Sequence, residues 1–186
     1  MDYLLGSIPE IQRRLLDAGV PSIVIGGVAV ATWGEPRVTR DVDLKIRLSR
    51  QDADRLLRLL STHYRTLHSN PLEIIRKQAL IFIEDEHGAR LDLLLADTPY
   101  DIVAIERGRD VEAFPGIHIR ICSPEVLIIY KLISTRVRDH EDARGVIRRQ
   151  GDALDDLYIL DWLRQFELAL DDSPLVSEYK NLLRIA

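Results

Sequence analysis

The chain has 186 residues, of which 46% are hydrophobic and 30% are charged, and its formal net charge is −5. This composition is typical of a folded globular protein and argues against a disordered chain or a broad nucleic-acid-coating surface, while leaving room for a local basic groove. The single cysteine, Cys122, excludes an internal disulfide and a cysteine-cluster zinc site.

The N-terminal residues do not have the pattern of a secretion signal, because Glu10, Arg13 and Asp17 interrupt them with charge. The longest apolar runs are far too short to span a bilayer. Together with the lone cysteine, these features lead us to expect a cytoplasmic protein that does not contact membranes.

Helical and strand patterns alternate through the first two thirds of the chain. The pattern predicts strands at 23–25, 41–47, 64–67, 79–84 and 89–96, helices at 8–18, 28–33, 49–62 and 97–108, and a hairpin at 111–114 and 117–121. The segment 72–77 fits a helical turn or an irregular loop equally well. From Ser123 onward the pattern is only helical, with helices predicted at 123–133, 138–150, 154–166 and 173–183. We therefore predict an α+β fold, with a mixed central sheet and flanking helices over 1–122 and a packed helical segment over 123–186.

Two carboxylates are predicted to share one face of the strand at 41–47. Residues two apart in a strand point the same way, so Asp41 and Asp43 lie on one side while Val42 and Leu44 lie on the other. Two like charges this close repel unless a cation or a shared proton intervenes. Mg²⁺ typically takes one or two protein carboxylates together with substrate phosphates. The pair is therefore a candidate metal site.

A glycine pair precedes these acids in the chain. Gly26 and Gly27 end the apolar strand at 23–25, and a helix start follows them. Backbone N–H groups at such a turn can approach a phosphate closely, and the helix dipole favours negative charge there. The alternative is an ordinary strand-to-helix turn, which glycine serves in many proteins. Beside Asp41 and Asp43, we favour a phosphate-binding turn.

The ordered pattern Gly26-Gly27-x-Ala29, then Arg37-x-Thr39-x-Asp41-x-Asp43, resembles the signature of the DNA polymerase beta-like nucleotidyltransferase superfamily. AbiEii-type toxin nucleotidyltransferases look closest, with lincosamide and aminoglycoside nucleotidyltransferases as neighbours. The resemblance implies the nucleotidyltransferase fold and transfer of a nucleoside monophosphate from an NTP such as ATP to an acceptor hydroxyl, with Mg²⁺ or alternatively Mn²⁺.

Asp92 completes the implied catalytic set. It is the one acid in an otherwise apolar strand, and a buried carboxylate is costly unless it is paired or metal-bound. In the implied enzyme Asp41, Asp43 and Asp92 are metal ligands, and Asp92 also helps to deprotonate the acceptor. The alternative is that Asp92 meets a partner in the core.

Three further residues are candidate nucleotide ligands. Arg37 and Thr39 flank the metal strand, and Arg37 could pair with phosphate oxygens or, alternatively, orient its loop against Glu35. Lys131 resembles a lysine that the related toxins carry after a Ser-Pro-Glu helix start, where it faces the nucleotide. The alternative is a lysine that extends from a core helix toward solvent.

The stretch from Arg138 to Asp142 resembles an Arg-x-Lys-Asp-x-x-Asp stretch of the same branches, but we favour the interpretation as a solvated, salt-bridged helix start. The resemblance implies RNA, such as a tRNA 3′ end, as acceptor and a cognate antitoxin as partner. The alternatives are a small hydroxylated compound such as an antibiotic as acceptor, or a catalytically inactive relative that binds nucleotide or a partner protein.

Overall fold

A computed structural model describes residues 2–170 and 174–185 of the chain. They form two compact units. The core unit contains the residues up to Val28 together with Val38–Cys122, and the helical unit contains Ala29–Arg37 together with the residues from Ser123 onward. The short segment 29–37 thus belongs with the helices that follow the sheet in sequence.

Across the described residues of the core unit, seven strands form one mixed sheet in the order β3-β4-β5-β2-β1-β7-β6. The strands are β1 (Ser22–Ile25), β2 (Asp41–Ile46), β3 (Arg65–Thr66), β4 (Leu80–Glu84), β5 (Arg90–Leu95), β6 (Arg109–Phe114) and β7 (Ile117–Ile121). The β2–β5 and β1–β7 pairs are parallel, and the other neighbours are antiparallel. The mixed sheet and flanking helices confirm the predicted α+β fold class.

In the described part of the core unit, one helix precedes the first strand, and four helices with a 3₁₀ turn at Arg50–Asp52 connect the strands. The helices are α1 (Asp2–Asp17), α2 (Gly26–Trp33), α3 (Ala53–Leu60), α4 (Pro71–Gln78) and α5 (Pro99–Glu106). The prediction that the first helix begins near Ile8 was wrong by about two turns, and Pro9 lies inside α1. Leu5 is buried like Ile8, Ile11 and Leu15, so the apolar stripe begins before the proline.

The segment 72–77, which the sequence pattern left undecided, is helical. Asn70 caps α4 by accepting a hydrogen bond from the Glu73 N–H at 3.4 Å, and Pro71 occupies the first turn. Proline suits this position because its missing N–H would be unsatisfied there in any case. Ala79 ends the helix with a left-handed φ of 54°.

The helical unit contains α6 (Pro124–Leu132), α7 (Val137–Gln150), α8 (Asp156–Leu170) and α9 (Leu175–Ile185). The start predicted for the last helix, Ser173, lies outside the described residues. The segment 29–37 is bonded to the end of α7, where Arg149 donates to the Gly34 carbonyl at 2.6 Å and Gln150 donates to the Trp33 carbonyl at 2.7 Å. No helix in the described ranges is both long and apolar enough to cross a membrane.

Candidate active site

The acidic face of the core sheet is formed by β2 and β5, two central strands that run parallel. In their register Asp43 lies opposite Asp92, and Asp41 lies opposite Arg90. Paired positions on neighbouring strands present their side chains to the same face. Asp41, Asp43 and Asp92 therefore share one side of the sheet. Asp92 is buried, with 8% of its surface exposed, while Asp41 and Asp43 are half-buried.

Gly26 lies directly against the carboxylate of Asp43. The antiparallel register of β1 and β2 sets Ile25 opposite Asp43, and α2 begins at the next residue. Gly26 has a φ of +62°, and a Cβ atom built on it would lie 2.6 Å from Asp43 Cγ and overlap Oδ2. Both the left-handed backbone and the missing side chain are therefore needed at this position. Gly26 of the predicted phosphate-binding turn therefore contacts Asp43 of the predicted metal pair.

Arg90 binds the third acid. Its Nε lies 2.9 Å from Asp92 Oδ1 and its Nη2 lies 3.1 Å from Oδ2, which makes the pair bidentate. The guanidinium also lies over the ring of Phe82, 4.6 Å from the centroid. The hydrogen bonds to Asp92, with the charges of Asp41 and Asp43, raise the pKa of Arg90 above its usual value. Arg90 was not among the residues predicted from the sequence, although its position two residues before Asp92 indicates the same face.

Thr39 and Lys45 flank the acids along the chain. The Thr39 hydroxyl lies 3.1 Å from the Asp41 carbonyl oxygen and 3.2 Å from its carboxylate Oδ1, so it can donate to either. Lys45 follows Asp43 on the same face and is buried in an ion pair with Asp101, with Nζ 2.9 Å from Oδ1. Thr39, predicted to bind nucleotide, thus contacts Asp41 in this structure.

Two other predicted nucleotide ligands, Arg37 and Lys131, lie in the helical unit and meet at one carboxylate. Lys131 Nζ lies 2.9 Å from Asp142 Oδ2 and also binds Asp139. Arg37 Nη2 lies 3.3 Å from the same Oδ2 of Asp142. The alternative pairing of Arg37 with Glu35 was wrong, because Glu35 pairs with Arg148 instead.

The ion network of Lys131, Asp139, Asp142 and Arg37 is largely buried, with Lys131 7% exposed and each aspartate 8% exposed. Burial alone would raise the pKa of Asp139, but hydrogen bonds from Lys131 and Ser134 outweigh it and hold that pKa below its usual value. The prediction of a solvated helix start was therefore wrong for these two aspartates. Their spacing of three residues on α7 is the sequence signal that sets them on one face.

The donor set of the acidic face fits a hard divalent cation. Carboxylate oxygens are the ligands that Mg²⁺ prefers, and one or two of them suffice when phosphates and water complete the shell. Asp41 and Asp43 meet that requirement, and Gly26 leaves space beside Asp43 that any Cβ would fill. In the residues that the structure describes, no group of three or more His, Cys, Asp or Glu side chains is close enough to hold a metal ion.

No protein-family model matches the chain, and no curated protein matches it. Among solved structures, ANT(2'')-Ia in complex with adenylyl-2''-tobramycin is similar with a TM-score of 0.57 and 14% identity, over 87% of this chain and 98% of that chain. An antigenic nucleotidyltransferase-like protein from Paracoccidioides brasiliensis is similar with a TM-score of 0.54 and 14% identity, over 95% of this chain and 93% of that chain.

The chain has a nucleotidyltransferase fold. This confirms the fold that the resemblance implied. At 14% identity the likeness concerns the fold, and the closeness to AbiEii-type toxins stays a prediction. Of the predicted site residues of this nucleotidyltransferase fold, Gly26, Asp41, Asp43 and Asp92 lie on or against the acidic face, and Gly27 follows Gly26 in the first turn of α2.

Proposed function

We propose that the protein is a metal-dependent nucleotidyltransferase that moves a nucleoside monophosphate from an NTP to an acceptor hydroxyl. The observation that carries the proposal is the acidic face, on which Asp43 and Asp92 are register partners and Asp41 lies two residues before Asp43. The Gly26 turn lies against Asp43. Neighbouring folds support it, because they include proteins named as nucleotidyltransferase-like and as an antibiotic-resistance factor.

In the proposed reaction the acceptor oxygen bonds to the α-phosphorus, the bond from that phosphorus to the α–β bridging oxygen breaks, and pyrophosphate leaves with the electron pair. Asp41 and Asp43 would hold Mg²⁺ or Mn²⁺, which when bound offsets the charge of the phosphates. The backbone N–H groups of Gly26 and Gly27, at the start of α2, bind phosphate oxygens. Asp92 accepts the acceptor's proton on a carboxylate oxygen, since each of its oxygens keeps a lone pair beside its hydrogen bond from Arg90.

Two acceptor classes have support of different kinds. The family resemblance supports RNA, and with it a cognate antitoxin as partner. The neighbouring structure of ANT(2'')-Ia, named for its complex with adenylyl-2''-tobramycin, supports a small hydroxylated antibiotic. Both classes use the same acids, so the acceptor has to be identified by transfer rather than by the site.

The test is a transfer assay with Mg²⁺ and each of four α-labelled NTPs, offered total cellular RNA in one series and a panel of aminoglycosides and lincosamides in another. We expect label in one acceptor class with the wild type, a loss of at least about a hundredfold with Asp43→Asn, and no loss with Asp54→Asn. Asp54 is an exposed aspartate of the same unit, so its variant matches the change in charge. Equal transfer by Asp43→Asn and the wild type would refute the proposal.

A further inference from the structure

A cavity of about 390 Å³ lies within the helical unit, and most of its lining side chains are charged. We call it the arginine cavity. Four arginines contribute to its wall: Arg37, Arg138, Arg144 and Arg148. Glu35, Glu141 and Asp142 are its acidic lining residues. Four arginines this close together repel one another unless negative charges lie beside them. What the cavity can bind therefore depends on whether each lining carboxylate is already paired with a cation.

Two of the three carboxylates are already engaged. Asp142 binds Lys131 and Arg37, and Glu35 binds Arg148. Arg138 and Arg144 are exposed and have no hydrogen-bond or ion-pair partner among the residues that the structure describes. Within that part of the chain, the wall therefore has two guanidinium groups without an ion-pair partner and one carboxylate, Glu141, that is not yet paired. The net charge of the lining residues is positive.

Arg37 adds a second, independent observation. Its Nε is buried and makes no hydrogen bond within the described residues. Asp142 Oδ1 lies 3.3 Å from this nitrogen, yet the two atoms do not have hydrogen-bond geometry. Buried donors are almost always satisfied, so an unsatisfied one in the wall of a polar cavity indicates an acceptor that the chain itself does not supply.

We propose that the arginine cavity binds a run of phosphate groups. The planar fork of arginine matches phosphate oxygens in bidentate fashion, and arginine is preferred where such oxyanions are recognised. Arg138 and Arg148 are ten residues apart on α7, which corresponds to about 15 Å along the helix axis. One phosphate cannot reach both ends of such a row, whereas consecutive phosphates of a polyphosphate or a nucleic-acid backbone can. This site goes beyond the proposed transfer reaction and requires neither its metal nor its acids.

Binding is tested in EDTA, so that metal-dependent nucleotide binding does not contribute. A fluorescein-labelled 12-nucleotide single-stranded RNA is titrated by anisotropy at several salt concentrations, and tripolyphosphate is titrated by calorimetry. The variants are Arg138→Gln/Arg144→Gln and, as a control with the same charge loss, Arg58→Gln/Arg164→Gln on other helices.

We expect the cavity variant to weaken binding by at least about tenfold, as for the loss of two charge-assisted contacts. For RNA, the slope of log affinity against log salt should fall by about 1.4, since each phosphate contact in a single strand contributes about 0.7. Arg138→Lys/Arg144→Lys should restore the slope but not the full affinity, because lysine keeps the charge without the fork.

The two probes separate the sources of phosphate. RNA binding that tripolyphosphate does not displace at equal phosphate concentration identifies a nucleic-acid backbone, and tight tripolyphosphate binding identifies a free polyphosphate. Equal losses in the cavity and control variants, or no measurable binding of either probe by the wild type, would overturn the proposal.

Discussion

Gly26→Ala tests the link between the glycine turn and the acidic face. The substitution has two separable costs. A left-handed backbone disfavours a residue with a Cβ by about 1–2 kcal/mol, and the lower entropy of the unfolded alanine chain offsets about half of that. The new Cβ would also overlap the Asp43 carboxylate, and overpacking of this kind costs about 1–3 kcal/mol. We expect Gly26→Ala to lower the free energy of unfolding by about 1.5–4 kcal/mol in total.

The chain offers a matched control for the backbone term. Gly88 also has a left-handed φ, of +81°, but a Cβ built on it meets no atom within 4 Å. Gly88→Ala should therefore cost only about 1 kcal/mol or less. The free energy of unfolding is measured for both variants by urea denaturation, followed by circular dichroism.

A double variant isolates the contact itself. Asp43→Ala removes the carboxylate that the new Cβ overlaps, so Gly26→Ala should be less destabilising in that background by about 1–2 kcal/mol. If Gly26→Ala costs no more than Gly88→Ala, and its effect adds to that of Asp43→Ala without coupling, the reasoning about this site is refuted.

Two further predictions concern the helical unit. Lys131→Met leaves two buried carboxylates without their shared cation, so we expect the free energy of unfolding, measured in urea, to fall by about 3–5 kcal/mol. The exposed Lys180→Met should lower it by at most about 0.5 kcal/mol. Similar losses in both variants would contradict the ion network. Burial alone would lower the pKa of His140, but hydrogen bonds to Glu178 and to the Ser134 carbonyl raise that pKa above the usual 6.5. Protonated His140 therefore stabilises the fold below pH 6.5, and this stabilisation is lost as the pH rises through the pKa of the folded state. Urea unfolding at pH 5.5 and 8.5 should show a fall in stability with pH that is smaller in His140→Gln, and an identical pH dependence in that variant would refute this.

The strand period was sufficient to predict that Asp41 and Asp43 share a face, because side-chain direction in a strand is a local property. That Asp92 lies opposite Asp43 depends on the parallel register of β2 and β5, which joins residues about fifty positions apart and has no local signal. The pairing of Arg90 with Asp92 follows from the same period, and could have been predicted once β5 was recognised.

Burial of charge was the least predictable property. Asp139 and Asp142 lie in a stretch of alternating charge that is typical of a solvated helix, and only the packing of α7 against α6 reveals that they neutralise Lys131. The helix α4, in contrast, had its signals in the sequence. Asn70 as the cap and Pro71 in the first turn are residues that typically begin helices. These two signals were sufficient to predict α4, although its apolar pattern is short.

We propose above that the acidic face and the Gly26 turn form a metal–nucleotide site. The most direct measurement is the affinity for a fluorescent, non-hydrolysable NTP analogue with and without Mg²⁺, for the wild type and for Asp41→Asn/Asp43→Asn, with circular dichroism to check that both are folded. We expect the wild type to bind the analogue much more tightly with Mg²⁺ than without it. The folded double variant should show only the weaker, metal-independent binding that the arginine cavity would provide. Equal binding by the two proteins with Mg²⁺, or binding by the wild type that does not change when Mg²⁺ is removed, would contradict the proposal.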